Sequence, residues 1–158
     1  MTPHQGRIIE LYPVRFHNDG LEHLLLRRSP EDSLYPSIWQ IVTGSIEEGE
    51  TASRAALREF KEETGLTPLR FWVLPHVGAF YDYRRANIEF SPQFCCQVPD
   101  GLAPVLSPEH TAWRWLPAGA AKPMLAWPSQ QAGIDLVEWM IGRGERAEGL
   151  LDLTGSEL

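Results

Sequence analysis

Gly44-Ser45-Ile46-Glu47-Glu48-Gly49-Glu50-Thr51-Ala52-Ser53-Arg54-Ala55-Ala56-Leu57-Arg58-Glu59-Phe60-Lys61-Glu62-Glu63-Thr64-Gly65-Leu66 is the stretch whose reading decides the fold. Positions 52–64 hold only good or moderate helix formers. Thr51 stands where an N-cap side chain accepts from a free backbone N–H, and Gly65 stands where the left-handed residue that ends a helix belongs. The pattern predicts a helix over 52–64. At about 3.6 residues per turn, Glu59, Glu62 and Glu63 fall within roughly 100° of arc, with Glu59 and Glu63 one turn apart. Like charges at that spacing destabilise a helix by a few tenths of a kcal/mol per pair. A hard divalent cation reverses the sign, because Mg2+ takes carboxylate, carbonyl, water and phosphate oxygens. The acidic face then becomes a platform for anionic phosphates.

Working outward, residues 8–16 and 21–28 are β-rich runs on either side of His17-Asn18-Asp19-Gly20, whose Asp-Gly pair tolerates the positive φ of a hairpin turn. Residues 30–36 read as a turn-rich loop, and 38–42 as a short strand ending at Gly44. Residues 71–80 and 88–98 read as strands, and 112–116 as a short one. Ser129 is placed to cap a final helix through 141, where Ile134, Val137 and Ile141 recur at helical spacing and Gly142 ends the run. The expected organisation is one domain over 1–142, followed by a loosely held polar tail over 143–158.

A chain of 158 residues is the size of one ordinary domain, and 43% hydrophobic with 22% charged residues excludes disordered, collagenous and coiled-coil classes. The formal net charge of -7 argues against duplex nucleic acid or an anionic membrane as a partner, since both need a basic footprint. It also means that handling a polyphosphate requires imported positive charge, for which a divalent cation is the economical source. Cys95 and Cys96 are adjacent, whereas a structural disulfide closes a loop between separated positions, so a reducing compartment is expected. Residues 1–10 lack a basic and apolar leader pattern, and no run approaches the ~20 apolar residues of a membrane span. The expected location is the cytoplasm.

Taken with its offsets, Gly44, five residues, Glu50, seven residues, then Arg58-Glu59-Phe60-Lys61-Glu62-Glu63-Thr64-Gly65-Leu66 resembles the complete signature of the Nudix hydrolases. Seven matches at fixed spacing arise by chance on the order of once in 10^8 starting positions, at roughly 7% abundance for each residue type. A solvated acidic face is the default reading of an isolated Glu-Glu pair, and Gly44, Glu50 and Arg58 at their offsets override it. The resemblance implies an α/β fold, a mixed β-sheet sandwiched between α-helices. It implies that Gly44 lends a backbone carbonyl to the metal, that Glu59, Glu62 and Glu63 ligate it, and that Glu50 and Arg58 brace the loop and helix. The implied cofactor is Mg2+, for which Mn2+ substitutes. Its expected work is to bridge phosphate oxygens and to lower the pKa of a water that attacks phosphorus, with no covalent intermediate.

The string Trp39-Gln40-Ile41-Val42-Thr43-Gly44-Ser45-Ile46-Glu47-Glu48-Gly49-Glu50-Thr51 is similar to the dihydroneopterin triphosphate pyrophosphohydrolases, a branch with dATP activity. So are Glu109-His110, Trp113-Arg114-Trp115-Leu116, the Ala-rich turn that follows, and Trp127-Pro128-Ser129. In that branch the glutamate of the Glu-His pair reaches the metal, so Glu109 is a candidate ligand or base, beside the alternative of an ordinary surface glutamate. The catalytic candidates are Glu59, Glu63 and Glu109, with the base open between Glu59 and Glu109.

Arg27 and Arg28 end a strand leading towards the signature, and alternation lets only one of them turn a guanidinium fork to phosphate. Trp39 is a candidate for stacking on a base or pterin ring, and a core position is the more common fate of such a residue. Tyr81, Tyr83, Arg84 and Arg85 combine aromatic faces with positive charge in an expected loop, a candidate substrate lid. The five histidines lack the paired spacing of a zinc site, and alternation buries one of the two cysteines. No nucleophile elbow, P-loop or dinucleotide fingerprint is present.

The expected activity is pyrophosphohydrolysis of a nucleoside triphosphate or dihydroneopterin triphosphate by a monomer or homodimer. A hydrolase of dinucleoside polyphosphates or nucleotide sugars is the alternative. A nucleotide-binding module that does not cut its ligand is the other class, and such modules commonly lose box carboxylates that this chain retains.

Overall fold

The computed structural model describes residues 6–142 and 149–158. Strands β1 (Ile8–His17) and β2 (Gly20–Arg28) pair antiparallel from Val14↔His23 to His17↔Gly20. The turn differs from expectation in one detail, because the positive φ values belong to Asn18 (48°) and Asp19 (61°) and Gly20 already lies in β2. A two-residue hairpin loop needs φ > 0 at both central positions, and Asn and Asp tolerate it best after Gly.

Away from the hairpin turn, β1 and β2 take different partners. The single strand expected over 38–42 is two pieces, β3 (Trp39–Gln40) on β2 and β4 (Val42–Ser45) on β1. Between them the Ile41 N–H leaves the ladder and donates to the Gln130 side chain at 3.3 Å. Strands β5 (Arg70–Asp82) and β6 (Asn87–Gln97) form a long antiparallel hairpin. β6 runs parallel to β1 from Glu10↔Gln93 to Val14↔Gln97. β7 (His110–Leu116) pairs antiparallel with β2. The result is one mixed sheet in the order β3-β2-β1-β6-β5, with β4 on β1 and β7 on β2.

Helix α1 (Ala52–Thr64) has the expected bounds: Thr51 Oγ1 accepts from the Arg54 N–H at 3.3 Å, and Gly65 ends it at φ 68°. Its buried Ala55, Ala56 and Phe60 pack on Ile9, Leu11, Leu24, Leu26, Val42 and Phe94 of one sheet face. The Ala-rich turn is itself helical, α2 (Ala118–Ala121) followed by a 3-10 turn at Lys122–Met124. It joins α3 (Pro128–Gly142), whose Ile134, Val137 and Met140 pack on Tyr12, Leu25, Ile41 and Trp72 of the other face. α3 starts at Pro128 rather than being capped by Ser129. Proline suits a first helical position, where its fixed φ is favourable and its missing N–H would have had no partner. The sheet is thus sandwiched between helices, and this corrects the cysteine reading: Cys95 and Cys96 are both fully buried, one in each layer. Alternation exposes every second residue only where one face meets water, and β6 has both faces covered at residues 93–96.

The expectation of a loose tail falls in part on residues 143–148, which lie outside the described residues. The chain beyond them is held against the edge strand β5. The Leu153 N–H donates to the Phe71 carbonyl at 2.8 Å, the Phe71 N–H donates to Thr154 Oγ1 at 3.0 Å, and a short α4 (Thr154–Glu157) follows. An edge strand offers unpaired backbone groups, and this segment satisfies some of them. No helix among the described residues is long and apolar enough to cross a membrane.

Candidate active site

Glu63 lies on the inward side of α1 and is 3% exposed, with its Oε2 atom buried and without a hydrogen-bond partner. Burial, reinforced by the charges of Glu59 and Glu109, pushes its carboxyl well above the usual carboxylate range. Burial also raises Glu59, one turn earlier. Glu59 is seated against β4 at Gly44, where a Cβ atom would lie 2.1 Å from the Glu59 Cδ. Only a residue without a side chain lets the strand backbone close on that carboxylate.

Arg58 ties this arrangement to the loop before the helix. Its Nε and Nη2 donate to the two oxygens of Glu50, each at 2.9 Å, and Nη2 also donates to the Ser45 carbonyl at 2.8 Å. Its Nη1 donates to Glu59 at 2.9 Å and to Glu62 at 3.3 Å. Such a forked pair fixes geometry as well as charge, and the hydrogen bonds from Arg58 hold Glu50 below the usual carboxylate range. The Glu62 side chain is 58% exposed, so it shares the acidic face while pointing to solvent.

The opposite wall comes from the start of β7. One ligand-capable atom each of Glu63, Glu109 and His110 lies within 4.8 Å of the others. Glu109 is exposed, whereas His110 is 5% exposed and neither of its ring nitrogens has a hydrogen-bond partner. Burial, with the Arg28 charge, lowers the His110 pKa to about 4, so the ring is neutral. The β2–β7 register shifts at a bulge between Arg27 and Arg28, and beyond it Arg28 pairs with His110. Arg28 is therefore the arginine that acts on the carboxylates, and its charge opposes the rise in the Glu63 pKa. Asp32 holds it, through a hydrogen bond from Arg28 Nε at 3.0 Å. The Tyr35 backbone N–H and Arg28 bring Asp32 down to about 2.

The other sequence candidates do not join this group. Arg27 is exposed and donates from Nε to the Ser37 carbonyl at 3.2 Å. Trp39 packs with the α3-side core, and the Arg114 guanidinium stands 5.5 Å from its ring centroid. Tyr81 lies in β5 rather than a loop, because pairing of β5 with β6 continues to Asp82↔Asn87 and leaves only 83–86 as the turn. It lines a cavity of about 630 Å³ with Arg7, Asn87 and Phe90. Arg84 at the hairpin tip donates from Nη1 to Tyr35 Oη at 3.3 Å, so the expected lid rests on the 30–36 loop. His110 and Asp32 are not legible as partners of Glu63 and Arg28 from histidine spacing or charge runs. The adjacency of Glu109 and His110 is the one local signal.

Two carboxylates and a neutral imidazole around an unpartnered buried oxygen form a donor set that suits a divalent cation. The NUDIX domain model matches residues 13–139. The dihydroneopterin triphosphate diphosphatase of Escherichia coli (strain K12) is 32% identical over 139 residues, covering 80% of this chain and 89% of that protein. The solved structure of the E. coli dihydroneopterin triphosphate pyrophosphohydrolase aligns with a TM-score of 0.66 at 28% identity, covering 86% of this chain and 96% of that one. A putative NUDIX hydrolase from Listeria monocytogenes aligns with a TM-score of 0.76 at 20% identity over 89% of this chain and 97% of its own, a likeness of fold. The chain therefore belongs to the NUDIX family and is a Nudix hydrolase acting on acid anhydrides in phosphorus-containing compounds.

Proposed function

We propose that the chain is a divalent-metal-dependent pyrophosphohydrolase that cleaves a phosphoanhydride bond of dihydroneopterin triphosphate or a nucleoside triphosphate. The observation that carries this reading is the buried Glu63 carboxylate, with one oxygen unpartnered, facing Glu109 and close to Glu59. Burial disfavours the ionised form of such a group and raises its pKa, and a bound cation would restore the carboxylate. Glu59, Glu62, Glu63, Glu109 and the Gly44 carbonyl are the groups that would hold the metal. When bound, it supplies neutralisation of phosphate oxygens and a more acidic attacking water.

The remaining work falls to the chain's own side chains. Arg58 keeps Glu59 in place through its fork to Glu50 and its contact with the Ser45 carbonyl. Glu59 and Glu109 are the candidates to take the proton of the attacking water. Arg28, oriented by Asp32, adds positive charge beside the carboxylates where phosphate is to be held. Similarity to the E. coli diphosphatase supports a pterin triphosphate as the organic substrate.

The test is a screen of purified protein with Mg2+ or Mn2+ against dihydroneopterin triphosphate, each dNTP, ADP-ribose and diadenosine polyphosphates. Pyrophosphate release from a triphosphate, abolished by chelator, is the expected result. Turnover that persists in excess chelator refutes the metal, and cleavage confined to ADP-ribose or diadenosine polyphosphates refutes the substrate class.

A further inference from the structure

His110 has no part in the mechanism above, yet its environment is abnormal for a core histidine. A buried imidazole ordinarily donates from one nitrogen and accepts at the other, and both nitrogens of His110 are buried without a partner. The residue is 5% exposed and stands at the first position of β7, directly after Glu109. One ligand-capable atom each of Glu63, Glu109 and His110 falls within 4.8 Å of the others, with the Arg28 charge also near the ring. Two ligands on a six-coordinate ion at about 2.1 Å sit ~3 Å apart when adjacent and ~4.2 Å apart when opposite. On one ion at least two of the three pairs are adjacent, so from separations of up to 4.8 Å the ligand atoms close by as much as ~1.8 Å, a movement that side-chain rotation supplies.

We infer that His110 is a nitrogen ligand to the divalent cation held by Glu63 and Glu109, which makes the metal centre a mixed nitrogen-oxygen site. The inference rests on the proposed metal dependence and goes beyond it in adding a nitrogen donor to the all-oxygen set of the glutamates and the Gly44 carbonyl. It has a consequence for ion choice. Mg2+ prefers oxygen donors and water, whereas imidazole suits first-row transition ions, so the centre favours Mn2+ over Mg2+. A histidine that merely filled space beside the carboxylates would leave that preference untouched.

The test uses the full chain and Mn2+ alone. Electron paramagnetic resonance counts bound Mn2+, and electron spin echo modulation reports whether an imidazole nitrogen is directly coordinated. The expected result is coordinated-nitrogen modulation in the wild-type protein that is lost in His110→Gln. Mn2+ affinity should fall in that variant by at least the roughly tenfold to hundredfold seen when a group supporting a metal ligand is removed. Mg2+ affinity, read by competition, should fall less. Mn2+ that binds wild-type protein without nitrogen modulation overturns the assignment, whether or not the variant folds. Failure of the underlying metal reading looks different: wild-type protein then binds no Mn2+, or binds it equally well after Glu63→Gln.

Discussion

Gly44 and Glu59 occupy one space: a Cβ atom on residue 44 would stand 2.1 Å from the carboxyl carbon of Glu59 and 2.5 Å from its Oε1. The clash is with the far end of a side chain, not with backbone, so Gly44→Ala should fold and push the Glu59 carboxylate aside. Turnover should fall by roughly a hundredfold, the effect of a misplacement of about 1 Å at a reacting centre. Circular dichroism should remain native, and a fully active Gly44→Ala enzyme contradicts the placement.

Glu63→Gln removes a buried carboxyl whose ionised form is disfavoured by burial and by Glu59 and Glu109, and only partly supported by the Arg28 charge. Without metal the variant should be at least as stable as wild type in urea, because the unpaired carboxylate is gone. Turnover should drop by roughly a hundredfold to ten-thousandfold, and the rise in melting temperature on adding Mn2+ should disappear. A Glu63→Gln protein with full activity overturns the mechanism itself.

Glu109 is exposed but reaches the Glu63 and His110 group, so its role divides cleanly by measurement. Glu109→Gln should leave stability within about ±0.5 kcal/mol, as surface changes do, while turnover falls by a factor comparable to the Glu63 variant. Unchanged steady-state rates would return Glu109 to the status of an ordinary surface residue.

Phe60 is fully buried where α1 meets the sheet. Phe60→Ala should destabilise the protein by about 3–5 kcal/mol through lost transfer free energy and the cavity left behind. The shift should appear as a lower urea midpoint at unchanged m. A loss below ~1 kcal/mol would mean that α1 is not anchored by this ring.

His23 is 1% exposed and lies 2.7 Å from Glu138 through its Nε2. Burial lowers its pKa below the ordinary 6.5, against the opposing pull of Glu138. The unfolded chain then takes up this proton near pH 6.5, before the folded chain does. The contribution is therefore complete above that pH and is lost as pH falls below it. The urea midpoint should drop between about pH 7.5 and about pH 5.5, and His23→Gln should flatten that part of the profile. An equal slope in the variant assigns the pH dependence to other groups.

Local chemistry is why so much of this protein is readable along the chain. Helix α1 needs only Thr51 before it, Gly65 after it and helix formers between, all within one contiguous segment. The hydrophobic runs likewise determined that β1, β2, β5 and β6 exist, and the offsets of Gly44, Glu50, Arg58, Glu59, Glu62 and Glu63 determined the family. Tertiary structure decided the rest. Both cysteines are buried because both faces of β6 are covered at residues 93–96, which no period in its own sequence reveals. Tyr81 is strand rather than loop because β6 continues to pair with it. The segment after residue 148 is held because edge strand β5 offers it backbone partners. His110 stands beside Glu63, and Arg28 beside both, because a bulge shifts the β2–β7 register where those strands pass the acidic face of α1. Caps and periods are written in neighbouring residues, whereas register and layering depend on which distant strand is hydrogen-bonded to which.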